Sequence, residues 1–98
     1  MLVVIATLPG NPEKREEITT ALTKAAAASR EDPGCVSYAF HVDMENVDHY
    51  VSVELWEDQE SLDAHFGTPH VAELMGKAPE LLAGEVDLKI YETDGPKG

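Results

Sequence analysis

Positive charge is scarce in this chain: seven Lys and Arg stand against nineteen Asp and Glu, a formal net charge of -12 over 98 residues. Nucleic acids and anionic membranes draw most of their affinity for proteins from Lys and Arg displacing counterions, so neither is expected as a partner. Cysteine is scarcer still. The single Cys35 cannot close an internal disulfide, and no group of thiols has the spacing of a zinc or iron–sulfur site. No apolar stretch approaches the ~20 residues that span a bilayer, and no basic leader precedes the first hydrophobic run, Leu2-Val3-Val4-Ile5; a cytoplasmic location is expected. Two cofactor signatures are also missing. Pro9-Gly10-Asn11-Pro12 lacks the GxGxxG spacing that brings a backbone close to a pyrophosphate, which argues against flavin or nicotinamide. The four histidines form no HExxH, and His65 and His70 are separated by a Gly-Thr-Pro break rather than by one helical turn, so no metal site is expected.

What is present is the patterning of one small α+β domain. Leu2 to Leu8 is a β-branched apolar run closed by Pro9-Gly10 and reads as a strand. Asn11 caps and Pro12 opens a helix whose apolar positions, Ile18, Leu22, Ala25 and Ala26, recur at helical spacing to about Ser29, where Asp32-Pro33-Gly34 stops it. Cys35 to Val42 and Tyr50 to Glu57 alternate as strands around a polar hairpin loop, Asp43 to Asp48. Asp58 caps a short helix carrying Leu62, His65 and Phe66. Thr68-Pro69 starts another, with Val71, Ala72, Leu74 and Met75, which Pro79 interrupts before Leu81 and Leu82 continue its apolar face and Gly84 ends it. Val86 to Tyr91 is a last strand, so the domain spans residues 1–92 and residues 93–98 form a frayed tail.

The order βαββαβ predicts a ferredoxin-like four-stranded antiparallel sheet with helices on one face. Both faces of the first strand are apolar, Leu2, Val4 and Leu8 against Val3 and Ile5, and both faces of the middle strands carry bulky residues. Several large side chains left wet, at about 1.5–3 kcal/mol each, would consume most of a domain's stability, so a symmetric homodimer is expected to cover the second face.

The residues Asp32-Pro33-Gly34-Cys35, Tyr38, Glu54-Leu55-Trp56-Glu57-Asp58, Ser61-Leu62-Asp63-Ala64-His65-Phe66 and Thr68-Pro69-His70 resemble, in order and spacing, the signature of the antibiotic biosynthesis monooxygenase family. The resemblance covers Leu2 to about Tyr91. It implies a dimeric α+β barrel with a pocket between the helices and sheet of each subunit. It also implies oxidation of a small electron-rich aromatic, of quinol, phenol or anthrone type, by O2 without flavin, haem or metal. One branch of the superfamily degrades haem through an asparagine on the first strand and a tryptophan and a histidine on later helices. The resemblance puts Thr7, His65 and Met75 at those positions, so that triad is absent. The same correspondence implies that these three residues face the pocket together with Ile5, Phe66, Val71 and Leu74.

Cofactor-free oxygenation requires the substrate to give an electron to O2, which a phenolate or enolate does far better than its neutral parent, so the protein must deprotonate it and exclude water. His65 is the expected base, although a histidine there also suits a brace at the helix junction. His70 reads as structural, and His41 and His49 as solvated. Trp56 offers a wall for an aromatic ligand or plain core packing, and Tyr38 a hydrogen bond to a quinone oxygen or, better, a place at the dimer seam. Glu54, a charge in an apolar strand, requires a partner. Cys35 reads as a small buried residue. A non-catalytic dimeric ligand-binding or stress-response barrel, and an oxygen-independent isomerase or cyclase, are the competing functions.

Overall fold

A computed structural model describes residues 1–98. The first strand, β1 (Leu2–Pro9), leads through a 3-10 turn, Pro12–Lys14, into α1 (Arg15–Arg30); then follow β2 (Cys35–Asp43), β3 (Asn46–Trp56), α2 (Gln59–Phe66), α3 (Pro69–Leu81) and β4 (Asp87–Glu92). The strands form one antiparallel sheet in the order β2-β3-β1-β4, the ferredoxin-like α+β arrangement that the element order predicts.

The caps work through the side chains expected of them. Asn11 accepts from the Glu13 amide at 3.0 Å, Asp58 from Ser61 at 2.8 Å, and Thr68 from Val71 at 3.4 Å while its hydroxyl donates to the His65 carbonyl at 2.7 Å. Two boundaries differ from the sequence reading. The hairpin loop is only Met44-Glu45, because Asp43 and Asn46 pair across it and Asp43 Oδ1 accepts from the Glu45 amide, so residues that read as polar loop extend both strands. Pro79 does not interrupt α3: it lies in the last turn, where the missing N–H removes a single ladder bond, and the Leu82 amide still reaches the Ala78 carbonyl at 2.8 Å. The helix ends at Leu81. Leu82 is extended and pairs with Gly10, which ties the end of α3 to the end of β1.

Pleat parity decides which strand face is core. Leu2, Val4, Ala6 and Leu8 of β1 and Tyr50, Ser52, Glu54 and Trp56 of β3 are buried beneath the helices. The more apolar parity of β3, Val51, Val53 and Leu55, lies on the opposite face with Val3 and Ile5. There Ile5 is 36% and Val53 44% exposed. Two core clusters result, one around Val4, Trp56 and Leu62 and one around Leu8, Ile18 and Tyr50, and Phe40 packs against both. No helix is long and apolar enough to cross a membrane. The Thr93 amide donates to the Met1 carbonyl at 2.9 Å, which fastens the start of the tail to the first residue of the chain.

Candidate functional site

Between the sheet and the helices lies a cavity of about 440 Å³, with Ala6, Leu8, Tyr38 and Phe40 on its sheet side and Phe66, Val71, Leu74 and Met75 on its helix side. Fifteen of its eighteen lining residues are hydrophobic, so polar chemistry falls to the other three, Ser52, Glu54 and His65.

Glu54 is 5% exposed, yet its carboxylate is fully employed: Ser52 Oγ donates to Oε2 at 2.7 Å and Trp56 Nε1 to Oε1 at 2.9 Å. The partner required for a charge in this strand therefore comes from its own strand, two residues away on either side, where the period of two puts all three on one face. Tyr38 pairs directly with Glu54 across β2 and β3. Burial, and next the nearby Glu54 charge, push its phenol well above the ordinary value, so it stands as a neutral hydroxyl.

His65, in the last turn of α2, is 3% exposed. Its ring lies 4.5 Å from Trp56, 5.6 Å from Phe66 and 5.7 Å from Tyr38, centroid to centroid. Nδ1 is 2.8 Å from Asp32 Oδ2, and the same oxygen is 2.8 Å from His70 Nε2. A carboxylate only accepts, so each of the two nitrogens facing it carries the proton. That assigns the lone pair of His65 to Nε2. No buried side-chain nitrogen or oxygen lacks a partner, and Nε2 makes no hydrogen bond within the protein, so this nitrogen is open to the cavity that its ring lines.

Asp32 is held in place by the turn that follows α1. Gly34 has φ +82°, which L side chains rarely adopt, and a Cβ there would stand 2.0 Å from Ser61 Oγ on α2. The Glu57 amide donates to the Gly34 carbonyl at 2.9 Å, so the turn is pinned against the start of α2 and carries Asp32 to the α2–α3 junction.

Among the residues expected at the pocket, His65, Phe66, Val71, Leu74 and Met75 line the cavity. Ile5 and Thr7 do not. They have the odd parity of β1, and their pairs Val53 and Val51 lie with them on the outer face, whereas Ala6 and Leu8 face inward. Trp56 is fully buried and stands behind His65, so its part is packing and the hydrogen bond to Glu54 rather than a wall. Tyr38 is a buried core residue lining the cavity, not a seam residue. His70, though on a different helix from His65, meets the same carboxylate, so the helix break that argued against a joint site does not separate them. In the sequence Asp32 reads as a helix stop and as one residue of the family signature, with nothing to mark it as a partner of the histidines. It is 33 and 38 residues from its two partners, and no spacing rule connects them. Cys35 is half-buried, and burial followed by the Asp32 charge raises its thiol pKa, which argues against a nucleophilic role.

A family model described as antibiotic biosynthesis monooxygenase matches residues 1–77. An uncharacterised Synechocystis protein, sll1783, is 35% identical over 91 residues, which are 93% of this chain and 62% of that protein, so the chain spans less than two thirds of this relative. The Bacillus subtilis protein YcnE, provisionally named a monooxygenase, is 28% identical over 88 residues, 90% of this chain and 93% of that one. The solved structure of Rv0793 from Mycobacterium tuberculosis superposes with a TM-score of 0.91 at 24% identity, covering 99% of this chain and 98% of that one, and shares the fold.

Proposed function

Because the chain belongs to the antibiotic biosynthesis monooxygenase family, and because its one buried histidine opens a lone pair onto an apolar cavity, we propose that it is a cofactor-independent monooxygenase acting on a small electron-rich aromatic. The observation that carries this reading is the Asp32–His65 contact at 2.8 Å with Nε2 left free. Nε2 takes the proton of a phenol, quinol or enol, and Asp32 offsets the positive charge that forms on the ring. The resulting anion gives an electron to O2, and recombination on carbon with loss of water completes the reaction. For a hydroquinone the balance is quinol plus O2 to hydroxyquinone plus water. The protein's own contribution is deprotonation, an apolar wall that excludes water, and a neutral Tyr38 hydroxyl within the cavity lining.

A second copy of the chain is proposed to cover the outer sheet face, where Val3, Ile5, Val51, Val53 and Leu55 form one apolar surface. Ligand binding without turnover is the second reading. It is favoured by Glu54, whose two oxygens are already engaged by Ser52 and Trp56, leaving His65 without an obvious acid partner.

Anaerobic mixing with a panel of hydroquinones and anthrones, followed by admission of air, separates these readings. Oxygen uptake that depends on the protein and falls sharply in His65→Ala supports the oxygenase. Binding with no uptake across the panel supports the ligand-binding protein, and product formed without oxygen supports an isomerase or cyclase.

A further inference from the structure

We propose that Asp32, His65 and His70 also form a binding site for a divalent transition-metal cation of the zinc class, and that its occupation turns off the base at His65. The ligand atoms, Asp32 Oδ2, His65 Nδ1 and His70 Nε2, all lie within 4.8 Å of one another. Two imidazoles and a carboxylate are the ligand types that zinc-class ions select, and three protein ligands leave one position for water. The rings come from two different helices and the carboxylate from a turn, so the site is assembled by the tertiary fold. His65 is buried, while Asp32 and His70 are only partly covered, which gives the ion a route in from solvent.

The present 2.8 Å N···O separations belong to hydrogen bonds. Zinc bonds of about 2.0–2.2 Å at a tetrahedral angle require donor atoms about 3.4 Å apart, so each ring must withdraw by roughly half an ångström. The cation then takes the place of the two protons that Asp32 shares with the rings. No proton has to leave the protein: each imidazole binds the metal through the nitrogen that faced Asp32 and carries its proton on the other one.

For His65 this exchange has a direct chemical consequence. Without metal, Asp32 keeps the proton on Nδ1 and leaves the Nε2 lone pair facing the cavity. With metal on Nδ1, the ring proton sits on Nε2, and the cavity meets a donor where it had a base. Base and metal site are thus alternative states of the same three residues. The consequence for turnover rests on the proposed role of His65; the metal site and the tautomer change do not.

Chelator-treated full-length protein is titrated with Zn²⁺, and separately with Co²⁺, at neutral pH, with imidazole ¹⁵N NMR as the readout. The expected result is saturation at one ion per chain, metal-type shifts at His65 Nδ1 and His70 Nε2, a proton on His65 Nε2, and visible ligand-field bands with Co²⁺. Asp32→Asn and His70→Ala should each weaken binding by about tenfold or more, and His49→Ala should leave it unchanged. Should His70→Ala fail to fold, His70→Gln retains a hydrogen-bonding side chain while removing the imidazole ligand. Absence of saturable binding, or binding that survives Asp32→Asn and both His70 variants, overturns the site. Zinc binding that leaves the proton on His65 Nδ1 overturns the switch. A protein that binds zinc at this site yet consumes no oxygen in its chelator-treated, metal-free form refutes the oxygenase reading and leaves the metal site standing.

Discussion

Asp32→Asn removes the charge of the carboxylate while keeping the shape of the side chain, and the structure sets the size of its effect. One oxygen of Asp32 accepts from both His65 Nδ1 and His70 Nε2 at 2.8 Å. A hydrogen bond to a charged group is worth about 1.5–3 kcal/mol net and a neutral one about 0.5–1.5 kcal/mol. The carboxylate therefore favours the Nδ1–H form of His65 by about 10- to 150-fold, and an amide by only about 2- to 12-fold. The variant should show a larger population of the Nε2–H form by imidazole ¹⁵N NMR than the parent protein does. Under turnover, the imidazolium loses about 1–2 kcal/mol of stabilisation, which lowers kcat by about 5- to 30-fold. KM should hardly move, because Asp32 is absent from the cavity wall. Oxygen consumption under saturating hydroquinone reads the rate, and urea denaturation verifies that the variant is folded. An unchanged tautomer population in a folded variant would refute the reasoning, as would a rise in KM with no loss of kcat.

Gly34→Ala should destabilise the fold by about 2–4 kcal/mol, read as a lowered urea midpoint, because it forces a left-handed residue and a Cβ 2.4 Å from Ser61 Cβ. Tyr38 gives an alkaline signature. Its folded phenol pKa is raised, by burial first and Glu54 next, so above about pH 10 the unfolded chain loses a proton that the folded chain keeps. Stability is intact below that pH and falls above it at up to about 1.4 kcal/mol per pH unit for this one group; in Tyr38→Phe, the slope of urea-derived stability against pH should be shallower by that amount. Val53→Glu puts a charge at the centre of the apolar outer face without touching the helix-side core. Sedimentation should show the parent at twice the mass of the variant, and two species of equal mass would remove the proposed dimer across this face.

Local signals carried much of this molecule. The Asn11, Asp58 and Thr68 caps act over two or three residues, so their geometry follows from adjacent side chains alone, and the βαββαβ order follows from hydrophobic period. The placement of Phe66, Val71, Leu74 and Met75 at the pocket rests on the family resemblance, and His65 was legible besides as a base beside Leu62 and Phe66 on a short helix; the structure brings all five to the cavity. Strand facing was harder to read. In a sheet whose two faces are both apolar, the hydrophobic pattern cannot say which parity meets the helices, and the resemblance-based placement of Ile5 and Thr7 at the pocket fell on the wrong side of the pleat. The α1–β2 turn supplies the last component of the candidate site. Asp32 reaches His65 and His70 only because Gly34 bends the chain against Ser61 and brings the end of α1 to the junction of two later helices. The sequence by itself determined the elements, their caps and a histidine worth attention, since these depend on near neighbours along the chain. Only the tertiary structure decided which tautomer that histidine adopts and which nitrogen it offers to the cavity, because a hydrogen bond spanning 33 residues leaves no periodic trace.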